Sequence, residues 1–263
     1  MMSADYSHNS DSLILAMGGT EGRLQVVLGQ PVQDGYALLA SREWDVPRQS
    51  IRFLTPGIKE TLDGFGIGPE AIEKVACVRG PGSFTGLRLV LAAAEGIAAG
   101  KGLPLAGIDY LPLLASGPGP LIHGTLHVLT YARRGLVYLQ SFSAPDLQEI
   151  CPLDSLSLEE AAKRMAQFDS TAHLMGSGIR KNPDFFADLV AEQNGYTLLG
   201  PQWDNPSPDV LLAAAAKAEY SEASIEPVYV RPTDAEDNLS QFALKRGLDP
   251  EKAKKRLEEL QKG

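Results

Sequence analysis

The residues best suited to chemistry in this chain form one run, residues 79–88, with the sequence Arg-Gly-Pro-Gly-Ser-Phe-Thr-Gly-Leu-Arg. Its glycines allow positive φ angles or a close backbone approach, and Pro81 fixes one φ. The hydroxyl oxygens of Ser83 and Thr85 can accept the free N–H groups that begin a helix, while the arginines at both ends suit an anion or a carboxylate. The run is therefore predicted to be a shaped loop that another molecule contacts.

Phosphate binding is one alternative for this loop, because glycine-rich loops often cradle phosphate groups. A Walker-type loop continues with Lys and then Ser or Thr after its last glycine, whereas Gly86 is followed by Leu87 and Arg88. The sequence also contains no dinucleotide-binding fingerprint. A tight strand-to-helix turn without any ligand is the second alternative.

The other candidate residues form no convincing catalytic or metal-binding set. His123 and His127 have the spacing of a metal-binding pair on a helix, but they lead into a predicted strand, on which four residues span about 13 Å. Ser83 lies outside any Gly-x-Ser-x-Gly nucleophile elbow, and the sequence has no His-Glu-x-x-His motif. Glu159 and Glu160 open a predicted helix, where carboxylates have a structural role at the positive end of the dipole. No catalytic, cofactor-binding or metal-binding residue is predicted.

The elements that position the loop follow the order βββαβα. Three β-type runs separated by glycine-containing turns predict an antiparallel meander, and the helix after them is expected to kink or restart at Pro56. A strand, the loop, a helix, a strand and a short helix come next, which is typical of a ribonuclease-H-like domain. The predicted bounds are strands 13–16, 24–28, 36–40, 74–78 and 104–108, and helices that begin at Arg48 and cover 86–99 and 111–115.

The helix at 86–99 is apolar on almost every face. Ala92, Gly96 and Gly100 are spaced four residues apart, and small residues at this spacing let another helix approach closely. Packing on the chain's own sheet would account for one apolar face. The second apolar face predicts a partner surface.

The segment Ser-Gly-Pro-Gly-Pro at 116–120 is the predicted domain boundary. Beyond it the element pattern partly restarts, beginning with a hairpin at 126–131 and 136–142. The other predicted elements are helices 158–166, 184–191 and 208–218 and strands 173–175 and 196–199. The predicted organisation is a flexible leader at 1–11, a partner-binding N-terminal domain at 12–116, a second domain at 117–232 and a charged helical tail at 233–263.

Composition narrows the function classes. The 263 residues are 44% hydrophobic and carry a formal net charge of −9, which argues against binding of a nucleic-acid backbone by this chain alone. Cys77 and Cys151 fit neither a disulfide framework nor a metal quartet, as expected in a reducing compartment. No signal peptide or membrane span is recognisable, so the chain is predicted to be cytoplasmic.

The loop, together with Leu-Pro-Leu-Ala-Gly-Ile at 103–108, closely resembles the signature of the TsaB (YeaZ-like) family, part of the Gcp/TsaD-like superfamily. The resemblance covers roughly residues 12–232, densely in the loop and thinly elsewhere. Its other matching segments are Pro47-Arg48 and residues 131–138, 175–178 and 226–231.

The resemblance implies an actin/Hsp70-like (ASKHA) fold made of two ribonuclease-H-like domains with mixed sheets flanked by helices. It implies a non-catalytic scaffold that is required for threonylcarbamoyladenosine modification of tRNA and that dimerises with and activates the catalytic subunit TsaD. The ATPase TsaE is a further implied partner, and tRNA is reached only through the complex. The resemblance leaves both a monomer and a homodimer open for the isolated chain. No cofactor of its own is implied, and ATP or ADP would sit at the interface shared with TsaD.

In the family, the contact with TsaD or with a second TsaB copy uses helices of the N-terminal domain. The resemblance therefore places a partner interface on the helices at 48–63 and 86–99 and on the loop between them. The implied interface residues are Ile51, Leu54, Ile58, Arg79, Gly80, Pro81, Gly82, Ser83, Phe84, Thr85, Gly86, Arg88, Ala92 and Gly96.

Three positions depart from the family pattern. The first strand runs into Gly18-Gly19-Thr20 where the family usually has Asp-Thr-Ser, so the acidic residue that could organise Mg²⁺ is missing. Ser50 and Ile51 stand where the family often has His-Thr, and Tyr131 stands where it often has Asp. Independent nucleotide binding is therefore not expected, whereas the loop and the helix after it are intact.

Two alternatives to a scaffold remain open. The first is an enzyme acting alone, either an ATP-dependent transferase of the actin-like fold or a glycoprotease-like (M22-type) peptidase. The second is direct tRNA binding through residues 237–263, which carry seven Lys or Arg and five Asp or Glu and are net +2.

Overall fold

The structure is a computed structural model that describes residues 13–33, 35–47 and 49–230, together with Asp249 and Lys252. The chain divides into two compact units, Met1–Val228 and Tyr229–Gly263. The predicted leader and nearly all of the predicted charged tail lie outside the described residues. All elements below belong to the first unit.

The first sheet has five strands in the order β3-β2-β1-β4-β5. Strands β1 (Leu13–Gly18), β2 (Arg23–Val32) and β3 (Gly35–Asp45) form the predicted antiparallel meander. Strands β4 (Ile72–Gly80) and β5 (Leu105–Asp109) extend it in parallel. The central strand β1 is buried along its whole length, as expected of a strand that is covered on both faces.

Three helices accompany the first sheet: α1 (Ile51–Asp63), α2 (Phe84–Lys101) and α3 (Tyr110–Ala115). Helix α1 is continuous through Pro56, so the expectation that the helix restarts there is wrong. Proline removes one backbone hydrogen bond, but Pro56 is exposed, and the buried residues of α1 hold the helix on the sheet. The large apolar side chains among these buried residues are Leu54, Ile58 and Leu62.

The second sheet repeats this design, with the order β10-β9-β6-β7-β8. Strands β6 (Gly124–Arg133), β7 (Leu136–Ala144) and β8 (Gln148–Ser157) are antiparallel, and β9 (Ala172–Met175) and β10 (Tyr196–Leu198) extend them in parallel. Strand β8 was not among the predicted elements. It is an edge strand that contains charged residues and a proline, and these hide the alternation by which a strand is recognised.

Four helices follow in the second half: α4 (Leu158–Met165), α5 (Ser177–Lys181), α6 (Pro183–Glu192) and α7 (Pro208–Lys217). Helix α7 packs on β1, β2 and β3 rather than on the second sheet. Helix α7 therefore covers the first sheet although it follows the second sheet in the chain. One-turn 3₁₀ helices lie at Pro69–Ala71, Gly119–Leu121 and Pro201–Trp203.

The two mixed sheets, each a meander extended by two parallel strands and flanked by helices, form the actin/Hsp70-like architecture. The predicted order βββαβα of the first half is confirmed. The segment at 116–120 lies between the two sheets, and a domain division there stays a prediction. Cys77 and Cys151 are both free and buried. Each helix of the described residues is too short or too polar to cross a membrane.

Candidate functional site

The loop at 79–88 joins the end of β4 to the start of α2. Gly80 has a φ of 112°, a conformation that L side chains rarely adopt. Ser83 is the N-cap of α2, and its hydroxyl oxygen accepts the N–H of Gly86 at 3.5 Å. The predicted capping role of the Ser/Thr hydroxyls is therefore confirmed at Ser83.

The other two glycines of the loop allow close contact with the turn between β1 and β2. A Cβ on Gly86 would lie 2.1 Å from the carbonyl oxygen of Gly19, and a Cβ on Gly82 would lie 2.9 Å from Cγ2 of Thr20. At Gly86 the two backbone segments touch, so only glycine fits there, whereas Gly82 lies against the side chain of Thr20. The loop is thus packed against the chain's own turn between β1 and β2.

The two arginines that flank the loop are engaged within the chain. Arg79 donates from Nε to Oδ1 of Asp109 at 2.7 Å and from Nη2 to Oδ2 at 3.3 Å. This hydrogen-bonded ion pair raises the pKa of the Arg79 guanidinium. Arg88 stacks over the ring of Phe84, 3.8 Å from the ring centroid.

A groove of about 780 Å³ runs between α1 and the C-terminal half of α2. Its apolar lining includes Ile58 and Leu62 of α1 and Gly96, Ile97 and Gly100 of α2. Neither Gly96 nor Gly100 has any atom within 4 Å of the position that a Cβ would take. Gly96 and Gly100, two of the small residues spaced four apart in the sequence, therefore face open space.

The charged residues that line the groove are two lysines and two acidic residues, so the groove has no net charge. Lys59 and Asp63 of α1 pair with each other at 2.5 Å. Lys101 of α2 also lines the groove, and it donates from Nζ to the carbonyl oxygens of Glu70 and Ile72. Ile97 and Lys101 were absent from the interface residues implied by the sequence, because one and five residues after Gly96 they do not share its helical spacing.

The implied interface residues lie at different depths in the structure. Ile51 is 70% exposed and Phe84 is 39% exposed, whereas Leu54 is only 1% exposed. Leu54, Gly80 and Pro81 are buried, so in this structure they pack beneath the surface rather than on it. Ile58 is also buried, and it reaches the surface only as lining of the groove. The exposed or partly exposed residues are Ile51, Arg79, Gly82, Ser83, Phe84, Thr85, Gly86, Arg88, Ala92 and Gly96.

We use the name α1–α2 face for the groove together with the exposed side chains of α1 and α2 that the sequence implied as interface residues. Its exposed members are Ile51, Phe84, Arg88, Ala92 and Gly96. Exposed aromatic side chains and arginine are among the residue types that are enriched at protein interfaces, and this face carries both in Phe84 and Arg88.

The residues considered for catalysis have structural roles in the described part of the chain. The Ser83 hydroxyl caps α2, and Glu160 forms a capping box with Ser157 at the start of α4. Hydrogen bonds from Ser157 lower the pKa of Glu160. His127 is buried in β6, with Nδ1 at 2.7 Å from the hydroxyl oxygen of Ser141. Among the described residues, no group of three or more His, Cys, Asp or Glu side chains could hold a metal ion.

Comparison with known proteins identifies a family. The family model described as TsaD: tRNA N6-adenosine threonylcarbamoyltransferase matches residues 45–202. The tRNA threonylcarbamoyladenosine biosynthesis protein TsaB of Bacillus subtilis is 24% identical over 184 residues, 69% of this chain and 79% of the relative. The TsaB protein of Escherichia coli is 29% identical over 196 residues, 70% of this chain and 82% of the relative.

A solved structure shares the fold. It is an uncharacterized protein with similarity to peptidase YEAZ from Pseudomonas aeruginosa, with a TM-score of 0.65 and 22% identity, and the match covers 84% of this chain and all of that one. The chain therefore belongs to the TsaD family of the matching model and is a TsaB (YeaZ-like) member of it.

Proposed function

We propose that this chain is a non-catalytic subunit of tRNA threonylcarbamoyladenosine biosynthesis that binds TsaD through the α1–α2 face. Its task in the complex is to hold the ATP-dependent active site of TsaD in working geometry. The names of the TsaB relatives support the pathway. The observation that carries the binding role is the α1–α2 face itself, where an apolar groove lies beside exposed small residues of α2.

The physical case rests on what a partner would gain there. Ile51 and Phe84 are large apolar side chains that lie open to water, so covering them is favourable. Gly96 and Gly100 leave room for a partner helix to approach the backbone of α2 closely. The charges around the groove are already paired or bonded within the chain at Lys59 and Lys101, so a partner need not desolvate a free cation there.

The remaining partners follow from the same proposal. In the absence of TsaD, a second copy of the chain would cover the α1–α2 face and give a homodimer. TsaE and tRNA would meet this subunit only within the complex, and ATP or ADP would bind where it meets TsaD rather than on this chain alone. The complex would work in the cytoplasm.

The test is association of the purified chain with its cognate TsaD, measured by co-elution and calorimetry. Gly96→Leu should weaken binding at least about tenfold, because a leucine fills the space that a partner helix needs. Its melting temperature should stay near that of the wild type, since a Cβ at Gly96 would have no neighbouring side chain within 4 Å and the longer side chain extends into the groove.

Ala191→Leu is the matched control, because it adds a leucine at an exposed position of α6 in the other half of the molecule. It should bind TsaD as the wild type does. Failure of the wild-type chain to co-elute with folded TsaD would refute the proposal, and an unchanged dissociation constant for Gly96→Leu would remove α2 from the interface.

A second candidate function is an ATP-dependent transferase, since the matching family model is described as a threonylcarbamoyltransferase. The missing acidic residue at Gly18-Gly19-Thr20 speaks against it. Calorimetry of the isolated chain with Mg-ATP separates the two candidates. Micromolar binding would favour the enzyme, and absence of heat would favour the scaffold.

A further inference from the structure

The turn between β1 and β2 carries a carboxyl group that joins the two sheets. Oε1 of Glu21 accepts the backbone N–H of Tyr131 in β6 at 3.2 Å and also the hydroxyl of Ser177 at the start of α5. Oε2 accepts the hydroxyl of Tyr110, the first residue of α3, at 3.1 Å. One side chain of the β1–β2 turn thus bonds to two elements of the second half of the chain, β6 and α5.

Both the backbone conformation and the burial of Glu21 are energetically unfavourable. Its φ of 54° is unfavourable for a residue with a Cβ. Burial raises the pKa of its carboxyl group, and the nearby carboxylate of Asp204 acts in the same direction. The hydrogen bonds from Ser177, Tyr110 and Tyr131 act in the opposite direction. A strained backbone and a buried acid persist only where the surroundings fix them, so the contacts of Glu21 hold the turn in place.

The residues just before Glu21 touch the start of α2. A Cβ on Gly19 would lie 2.4 Å from Cγ2 of Val90, and the carbonyl oxygen of Gly19 faces Gly86. Thr20 lies against Gly82 of the loop. Closely packed backbone segments leave no slack, so a shift of the turn must displace the loop or the first turns of α2.

We propose that Glu21 is a positioning residue that fixes the β1–β2 turn to the second sheet and thereby holds the loop and the start of α2 in the arrangement that a partner binds. The second half of the molecule thus sets the geometry of a binding surface to which its own sheet does not contribute. The positioning step stands on the contacts within the chain, while its consequence for binding rests on the proposed association with TsaD.

The positioning step is tested by hydrogen exchange of the isolated chain. Glu21→Ala leaves the donors of Tyr131, Ser177 and Tyr110 without their acceptor, and the amides of residues 84–90 should exchange at least about fivefold faster. Glu21→Gln keeps an acceptor for Tyr131 and should stay within about twofold of the wild type. Glu192→Ala, which removes an exposed carboxyl group from the end of α6, should change nothing at 84–90.

The contradicting result is a local one. Faster exchange confined to Tyr131 and its neighbours in β6, with residues 84–90 as in the wild type, would overturn the inference. If Glu21→Ala does not fold, Ser177→Ala removes one donor only and should still speed exchange at 84–90. Unchanged exchange there in a folded Ser177→Ala variant would overturn the inference equally.

Binding to TsaD gives the second readout. Glu21→Ala should weaken the dissociation constant about tenfold, whereas Glu192→Ala should leave it unchanged. If wild-type chain and TsaD do not associate at all, the proposed function fails, but the exchange experiment still decides whether Glu21 positions α2. If the wild type binds and Glu21→Ala binds equally well, the consequence for binding is wrong.

Discussion

The imidazole of His127 lies inside the second half of the molecule, on β6. Its Nδ1 meets the hydroxyl oxygen of Ser141, and its ring packs near Phe168 and Tyr196. Nε2 is buried and has no hydrogen-bond partner among the described residues. Burial lowers the pKa of His127 to about 4, although Asp169 acts in the opposite direction. The histidine that looked like half of a metal pair in the sequence is therefore a neutral core residue.

Stability should fall in acid because of this residue. The pKa in the folded chain is below the ordinary value of 6.5, so the unfolded chain takes up a proton first as the pH falls. The free energy of unfolding should drop by about 2 kcal/mol from this source between about pH 7.5 and about pH 5. Urea unfolding at the two pH values measures the drop, and His127→Gln should lack that part of it.

His123→Gln serves as the control, because His123 is exposed and precedes the strand. It should retain the pH dependence of the wild type. If His127→Gln and His123→Gln lose stability equally in acid, another group is responsible.

Two glycines of helix α2, Gly86 and Gly100, have different surroundings. Gly86 touches the backbone of Gly19, while Gly100 faces open space. A methyl group at Gly86 would meet a carbonyl oxygen that cannot move without displacing β1. A methyl group at Gly100 would only improve the helix propensity of α2. The same substitution should therefore have opposite signs at the two positions.

Gly86→Ala should lower the free energy of unfolding by about 2 kcal/mol or more, and Gly100→Ala should raise it by up to about 1 kcal/mol. Denaturant titration of both variants measures the pair. A small or stabilising effect of Gly86→Ala would show that the loop and the β1–β2 turn are not in the close contact described.

At the scale of the whole molecule, helix α7 ties the end of the second half to the first sheet. Leu212 of α7 is buried over β2, where a Cβ on Gly29 would lie 2.3 Å from its Cδ1. Gln25 of β2 donates from Nε2 to the carbonyl oxygen of Pro206, just before α7, at 2.8 Å. One face of the first sheet is thus covered by residues that follow the second sheet in the chain.

A double-mutant cycle tests this contact. Gly29→Ala should destabilise the chain by about 1–3 kcal/mol because the new methyl group overlaps with Leu212. Leu212→Ala should cost about 2–4 kcal/mol through the cavity that it leaves. In the double variant the alanine at 29 enters that cavity. The loss of unfolding free energy in the double variant should therefore be smaller than the sum of the two single losses by about 1 kcal/mol or more. Simple additivity would show that α7 does not pack on Gly29.

Local signals explain most of what could be predicted about the fold. The meander, the order βββαβα and the helix after the loop are marked by turn residues, hydrophobic period and capping, all of which act over a few neighbouring residues. Strand β8 was missed because an edge strand is free to carry polar residues. The predicted restart of the helix at Pro56 is wrong. Proline disfavours a helix locally, but the tertiary packing of Leu54, Ile58 and Leu62 holds α1 together.

The sequence by itself determined the loop at 79–88, its capping by Ser83 and the stripe of small residues on α2, because each depends on residues close together in the chain. Only the tertiary structure decided that Leu54 is buried and that Gly86 touches Gly19. It alone also decided that Glu21 bonds across to Tyr131 and that α7 completes the first sheet. These contacts join residues far apart in the chain, and no local pattern records which distant atoms will meet.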